Sequence, residues 1–249
     1  MVFIGNIALD NGIPKLCIPL TGRTVQELQQ ECRYIQEKPF DIIELRIDYL
    51  QDVESFAAID EALKAIRQEL PEAALLFTYR SFAEGGESKL SEKFYFQLAQ
   101  HAIQSSQIDA IDLEYFQDQC QLINMITLAK QASVTVILSN HDFTKTPSYD
   151  EIVSRLIGMK QLGADVAKLA CMPHSAKDVL TLLRATEEVK SRYPQEPLIT
   201  MSMGSLGMIS RISGELFGSA LTFGSAKKAS APGQLEAEQL HKILHLLHR

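Results

Sequence analysis

The chain has 249 residues, 46% hydrophobic and 22% charged, which excludes a disordered chain and leaves ample apolar material for one continuous core. That length matches the roughly 250 residues of an eight-unit α/β barrel better than a two-layer domain. The formal net charge of -7, with Lys and Arg scattered among acids, excludes the basic stripe that a nucleic-acid partner requires.

Four cysteines, Cys17, Cys32, Cys120 and Cys171, form no CxxC pair and are too sparse for a disulfide scaffold. The N-terminus has neither a basic leader nor a small-residue cleavage site, and no uncharged apolar run approaches the roughly 18 residues of a membrane span. The expected compartment is therefore the cytoplasm, with no membrane contact.

In chain order, residues 1–14 read as a strand followed by the turn DNG, a small β-hairpin expected to close the bottom of the fold. KLCIPL from 15 then begins an alternation of short aliphatic runs with amphipathic stretches. The further strand candidates are DIIELRI from 41, AALLFTYR from 73, IDAIDLEY from 108, SVTVILSN from 133, ADVAKLA from 164, PLITMSM from 197 and SALTFG from 219. Between them, segments such as VQELQQECRYI, KFYFQLAQHAI, YDEIVSRLIGMKQLG and AKDVLTLLRATEEV carry apolar residues at helical spacing behind a capping Thr or Ser. The seventh helix is short. Eight βα units without a linker or composition shift predict a single (β/α)8 TIM barrel domain over 1–249. A doubly wound open sheet is the architectural rival, but its Gly-rich phosphate turn is replaced here by PLTGRT.

Barrel enzymes carry their chemistry at the C-terminal ends of strands. Strand two ends in Glu44 and Arg46 with Asp48 just beyond, strand three in Arg80 with Glu84 in the loop, strand five in His141 and strand six in Lys168; the seventh unit supplies Arg211. Lys168 has apolar neighbours and no acid within two residues. Either a carboxylate such as Asp112 or Glu114 pairs with it, or burial favours the free amine that attacks a ketone to form a Schiff base. His141, on the neighbouring strand, is a suitable proton shuttle, although an isolated NHD is also an ordinary turn. Three arginines at the mouth point to an anionic or hydroxylated ligand, or else pair with Glu44, Glu84 or Glu87. The loop GSAKKASAPGQ reads as a mobile lid or a phosphate cradle, with Lys227 and Lys228 exposed in a third reading. His241, His245 and His248 share helical spacing, so two of them have the spacing to bind a divalent metal, but no Glu or Cys completes the set and a structural role is favoured.

The segments ELRID from 44, FTYRSFAEGGE from 77, SNHDF from 139, the lysine of ADVAKLA, ITMSMGSLGMISR from 199 and FGSALTFGSAKKASAPGQ from 217 resemble, in order, the type I 3-dehydroquinate dehydratases of the shikimate pathway. The resemblance implies that Lys168 forms an imine with the C3 ketone of 3-dehydroquinate, that His141 removes a C2 proton assisted by Glu84, and that the C1 hydroxyl leaves as water in a syn elimination. It also implies that Glu44, Arg46 and Arg80 hold substrate hydroxyls and order the pocket. Arg211, Ser230 and Gln234 would form the carboxylate clamp and its lid, with Met201 and Met203 packing around the imine. No cofactor and no metal are implied, and the partners are the small-molecule substrate and a second copy in a homodimer. Pro19 departs from the serine many members carry, and Gly204 and Leu206 make a less polar loop than the family pattern; none of the three carries the covalent or proton-transfer step. A class I aldolase and a non-catalytic binding barrel remain the alternative readings.

Overall fold

The computed structural model describes residues 1–9, 12–226 and 230–248. Eight strands form the barrel wall: β3 (Lys15–Leu20), β4 (Ile42–Arg46), β5 (Ala74–Thr78), β6 (Ala110–Glu114), β7 (Thr135–Asp142), β8 (Val166–Cys171), β9 (Leu198–Ser202) and β10 (Leu221–Ser225). Each matches a strand predicted from the sequence. They pair in parallel in the order β10-β3-β4-β5-β6-β7-β8-β9. The ring closes where Leu198 bridges Ser219: Ala220 N donates to Leu198 O at 2.7 Å and Thr200 N to Ser219 Oγ at 3.0 Å. The hydroxyl of Ser219 thus replaces part of the ladder at the seam.

The crossovers are helices α1 (Val25–Ile35), α2 (Phe56–Glu69), α3 (Glu92–Gln104), α4 (Gln119–Gln131), α5 (Tyr149–Leu162) and α6 (Ala176–Arg192). Thr24, Ser55, Ser91, Asp118, Ser148 and Ser175 cap them, each side chain accepting an N–H of its first turn. The seventh crossover is reduced, as expected, to α7 (Met208–Ile212) and α8 (Gly214–Phe217), and α9 (Ala237–Leu247) completes the ring. A two-residue strand, β11 (Leu235–Glu236), extends the sheet beside β10.

At the base, β1 (Val2–Ile4) and β2 (Ile7–Leu9) form the expected antiparallel hairpin. Its turn is at Gly5–Asn6, not at DNG: Gly5 takes φ +57°, which suits glycine, and Ile4 pairs directly with Ile7. Asp10 and Asn11 lie outside the described residues. Ile4 and Leu9 pack onto Cys17, Ile42, Ala74 and Ala110, so the hairpin seals the barrel floor.

Side chains alternate along each strand, and this layers the barrel interior. Ile42, Leu76, Ala110, Ile137 and Val166 make an apolar lower layer. Two residues on come Glu44, Thr78, Asp112, Ser139 and Lys168, and two further Arg46, Arg80, Glu114, His141 and Ala170; all but His141 are buried. The intervening residues, among them Ile43, Phe77, Leu113, Leu138 and Leu169, pack outward against the helices. The same pleat that builds the core therefore stacks ionisable groups only at the C-terminal end.

A second device recurs at the base. Asp41, Asp109 and Asp165 each precede a strand, and each accepts the first free N–H of the strand before it: Leu16 N at 2.7 Å, Leu75 N at 2.8 Å and Val136 N at 2.8 Å. Asp109 also binds Arg67 at 2.7 Å. Removing such a charged acceptor strands a buried N–H, at a cost of about 2 kcal/mol, so Asp109→Ala should lower Tm by about 4–8 °C. An unchanged thermal transition would contradict the role.

Candidate active site

All nine side chains singled out in the sequence line one cavity at the C-terminal mouth: Glu44, Arg46, Arg80, Glu84, His141, Lys168, Arg211, Ser230 and Gln234. Met201, Met203 and Phe223 complete its wall. A wider surface groove beside Lys190, Phe217 and Gly218 (330 Å³) gathers no comparable set of ionisable groups. The free volume of the active cavity is only about 50 Å³, against roughly 300–1,000 Å³ for ligand pockets. Ser230, Ala231 and Gln234 form part of its lining. Pro19 is buried in β3 on the inward face, two residues on from Cys17 and level with Glu44, although it is not among the cavity's lining residues, and Leu206 is exposed.

Lys168 is 3% exposed, and of the alternatives open to it the carboxylate partner is the one present. Its Nζ donates to Asp112 Oδ2 at 2.7 Å, lies 3.8 Å from Glu44 Oε1 and sits over the Phe223 ring. Asp112 is shared: Arg80 holds its other oxygen at 2.7 Å, and Ser139 Oγ donates to it too. Burial opposes its charge, but Arg80 and Lys168 hold the carboxyl well below the usual carboxylate range. Glu114 binds Arg80 rather than Lys168, at 3.0 Å. Arg46 forms a two-pronged pair with Asp48, 2.8 Å on each side, instead of meeting a glutamate, while Glu87 pairs with Arg23. Arg46 and Arg80 therefore sit in place before any ligand arrives.

Glu84 reaches the cavity from the loop after β5. Ser81 caps a short 3-10 helix, Phe82–Glu84, and Gly85 and Gly86 turn the chain back; a Cβ at Gly86 would come within 1.9 Å of Arg80 O. The carboxylate accepts His141 N at 2.9 Å and Asn140 Nδ2 at 3.2 Å, and His141 Nδ1 lies 2.9 Å from Oε2. Burial and the Glu114 carboxylate push Glu84 up to about 8, against the pull of Arg80. Burial, Arg80 and Lys168 hold His141 well below the usual imidazole range. With the Glu84 carboxyl ionised, Nδ1–H donates to it and Nε2 is left as a base. Register places His141 level with Ala170 and Met201, one inward step above Lys168.

Arg211, from α7, is 1% exposed, and among the described residues no carboxylate pairs with it. Its Nη2 donates to Pro232 O at 3.0 Å, Nη1 meets only Met201 Sδ at 3.8 Å, and Nε has no partner. Burial alone pulls it down to about 10. A buried, unneutralised guanidinium facing a cavity is a receptor for an anion. Over it, Ser230 N donates to Gln234 Oε1 at 2.8 Å, and Gly204 N to Pro232 O at 3.2 Å. Gly233 takes φ +76°, and a Cβ there would come within 2.3 Å of Gly204 O, so the covering segment can seat only as glycine. Lys227 and Lys228 lie outside the described residues.

Sequence reasoning named Asp112 only as an alternative partner and missed Ser139, Asn140 and Thr78, whose Oγ1 holds Glu44 at 2.8 Å. The signal was the i, i+2 spacing of polar residues in TYR, DLE and SNH. In α9, His241 and His245 contact one another at 2.8 Å, His248 just beyond the helix meets Glu215, and among the described residues no group of three metal-ligating side chains occurs.

The type I 3-dehydroquinase sequence profile matches residues 16–249. A 3-dehydroquinate dehydratase from Listeria monocytogenes serotype 4a (strain HCC23) is 48% identical over 248 residues, covering 100% of this chain and 98% of its own. One from Clostridium novyi (strain NT) is 48% identical over 247 residues, 99% of this chain and 98% of its own. Among solved structures, the type I 3-dehydroquinate dehydratase of Clostridium difficile with covalently modified comenic acid superposes with a TM-score of 0.95 at 43% identity, over 99% of this chain and 96% of that one. That of Enterococcus faecalis gives 0.93 at 38% identity, over 100% of both. Likeness of this extent in sequence and in backbone leaves no room for the aldolase reading, and the chain belongs to the type I 3-dehydroquinase family.

Proposed function

We propose that this protein converts 3-dehydroquinate to 3-dehydroshikimate, a hydro-lyase step of the shikimate pathway, through an imine on Lys168. The observation that carries the reading is a single cavity holding a lysine, a histidine–glutamate pair and a buried guanidinium that no carboxylate among the described residues pairs with. The Clostridium difficile relative, solved with covalently modified comenic acid, supports a covalent route.

Lys168 Nζ attacks the C3 ketone as the free amine, and the two protons that its ammonium gives up leave with the ketone oxygen as water, so that a cationic iminium remains. Asp112 at 2.7 Å neutralises this cation as it did the ammonium. The iminium draws electrons from C2, and His141 Nε2 takes the C2 proton while Glu84 steadies Nδ1. The resulting enamine expels the C1 hydroxyl, which His141 protonates from the same face, so departure is syn. Water then hydrolyses the conjugated imine and frees the enone product and Lys168. Arg211 fixes the C1 carboxylate under Ser230 and Gln234, and Glu44, Arg46 and Arg80 order the hydroxyl side.

The direct test is to mix protein and 3-dehydroquinate and follow ultraviolet absorbance of the conjugated enone; no rise would end the proposal. Arg211→Met removes the anion receptor, and KM should climb about 100-fold, as expected for loss of a charge-assisted two-pronged contact. Because the guanidinium has no counter-charge, Tm should not fall. A near-normal KM would place the carboxylate elsewhere.

The cytoplasm is the proposed compartment, supported by the exposed free thiol of Cys120 and three buried ones. Among the described residues no helix is long and apolar enough to cross a membrane. A homodimer is the proposed assembly, supported by an apolar groove at Pro14, Ile209, Ile212, Leu216, Leu244 and Leu247. Light scattering at the monomer mass would remove it.

A further inference from the structure

Asn140 precedes His141 in β7 and so faces the opposite way, toward the helix layer, where it is buried. There α5 delivers Arg155, whose Nη1 donates to Asn140 Oδ1 at 2.9 Å. A guanidinium has donors only, so the amide atom turned to it must be the oxygen. The amide nitrogen is thereby committed to the other side, where Nδ2 donates to Glu84 Oε1 at 3.2 Å. With Oε1 held, Oε2 is left for His141, whose backbone N and Nδ1 both lie 2.9 Å from it.

Arg155 is itself fixed. Its guanidinium lies 5.3 Å over the Phe116 ring, and Nη2 stands 3.7 Å from Glu151 Oε1. Glu151 is anchored by the Ser148 capping box, its Oε2 accepting Ser148 N at 2.9 Å and Oγ at 2.8 Å. The chain of contacts runs from the first turn of a crossover helix to the proton shuttle.

We infer that Arg155 is a positioning residue for this reaction: it fixes the Asn140 amide so that a donor faces Glu84, and Glu84 in turn aims His141 at the cavity. The inference rests on the dehydratase reading above. A donor on Oε1 favours the ionised glutamate, the form that takes the Nδ1 proton and leaves Nε2 as the base. Without Arg155 the amide is free to turn its oxygen to Glu84, which favours the protonated acid. The other charged groups facing this assembly are Arg80 from β5, 3.6 Å from Glu84, Glu114 and Asp112 from β6, Lys168 from β8 and Arg46 from β4. Around Arg155 they are Glu151 on its own helix and Asp142 of β7. None of these contacts Asn140 Oδ1, so none substitutes for Arg155.

The test compares pH profiles of kcat and KM for the unaltered enzyme, Arg155→Met and Arg155→Lys. Arg155→Met should move the acid limb of kcat up by about one pH unit and lower kcat at neutral pH about tenfold, the size of one charge-assisted hydrogen bond. KM should stay within about twofold, since Arg155 makes no cavity contact. Lysine is also donor-only, so Arg155→Lys should bring the limb back toward its original position. Trapping of the substrate imine on Lys168 by borohydride in Arg155→Met checks that the site is still assembled. An unmoved limb in a variant that still traps the imine overturns the inference, as does an Arg155→Lys profile displaced as far as that of Arg155→Met. If Arg155→Met does not fold, Asn140→Asp decides: it places an acceptor against Glu84, and an unmoved limb there also overturns the inference. Failure of the unaltered enzyme to dehydrate 3-dehydroquinate would instead strike the reading on which the inference rests.

Discussion

Replacing Lys168 by alanine should lower the dehydration rate at least about 10⁴-fold, because the group lost is the covalent partner and residues acting as one unit fail together. Without the iminium, the C2 proton is activated only by a neutral ketone, and His141 is too weak a base to remove it at a useful rate. The variant should also be less stable. Lys168 neutralises Asp112 at 2.7 Å in a fully buried layer, and loss of one partner from such a pair costs about 3 kcal/mol. Arg80 remains on the other oxygen of Asp112 at 2.7 Å, so the fold should survive with a lower Tm. Retention of more than a few per cent of activity in a folded Lys168→Ala protein would mean that the lysine is only a structural cation.

His141→Ala separates the two halves of the chemistry. The amine and its Asp112 partner are untouched, so the imine should still form and be trapped. Elimination, which needs a base at C2 and an acid at the C1 hydroxyl, should slow by about 10²–10⁴-fold in kcat, the usual worth of a positioned general acid–base. The pH dependence has a definite sign. Burial and the Glu114 carboxylate raise Glu84 to about 8 while burial and two nearby cations depress His141, so Glu84 gives up its proton to become the acceptor of Nδ1–H as pH rises toward about 8. Only then is Nε2 an unprotonated base. In the unaltered enzyme kcat should therefore climb with pH over this range, and His141→Ala should lose that slope along with the rate. Full activity in His141→Ala would remove the histidine from the mechanism.

The eight strands were legible because each is a short aliphatic run bounded by turn residues, and the capped helices because a Ser, Thr or Asp stands at each boundary. The candidate site was legible for a related reason. In TYR, DLE and SNH polar residues recur at a spacing of two, and a strand sends such residues to one face. The partners were less legible. Whether Lys168 meets Asp112 or Glu114 depends on which inward layers are level across β6, β7 and β8, and no local pattern encodes that register. Solitude cannot be read from sequence either: Arg211 looks like the other arginines, and only the fold leaves it without an acid while Arg46 finds Asp48 two residues away. The hairpin turn was misplaced because IGNI and DNG are both good turns, and three-residue strands are too short for periodicity to choose between them.

The central claim is that Lys168 becomes covalently bound to substrate. Incubating the protein with 3-dehydroquinate and borohydride, then digesting it and weighing the peptides, should give one reduced adduct, on the peptide that contains Lys168 and absent from Lys168→Ala. An adduct on another lysine, or none while the unreduced enzyme produces the enone, would contradict the account.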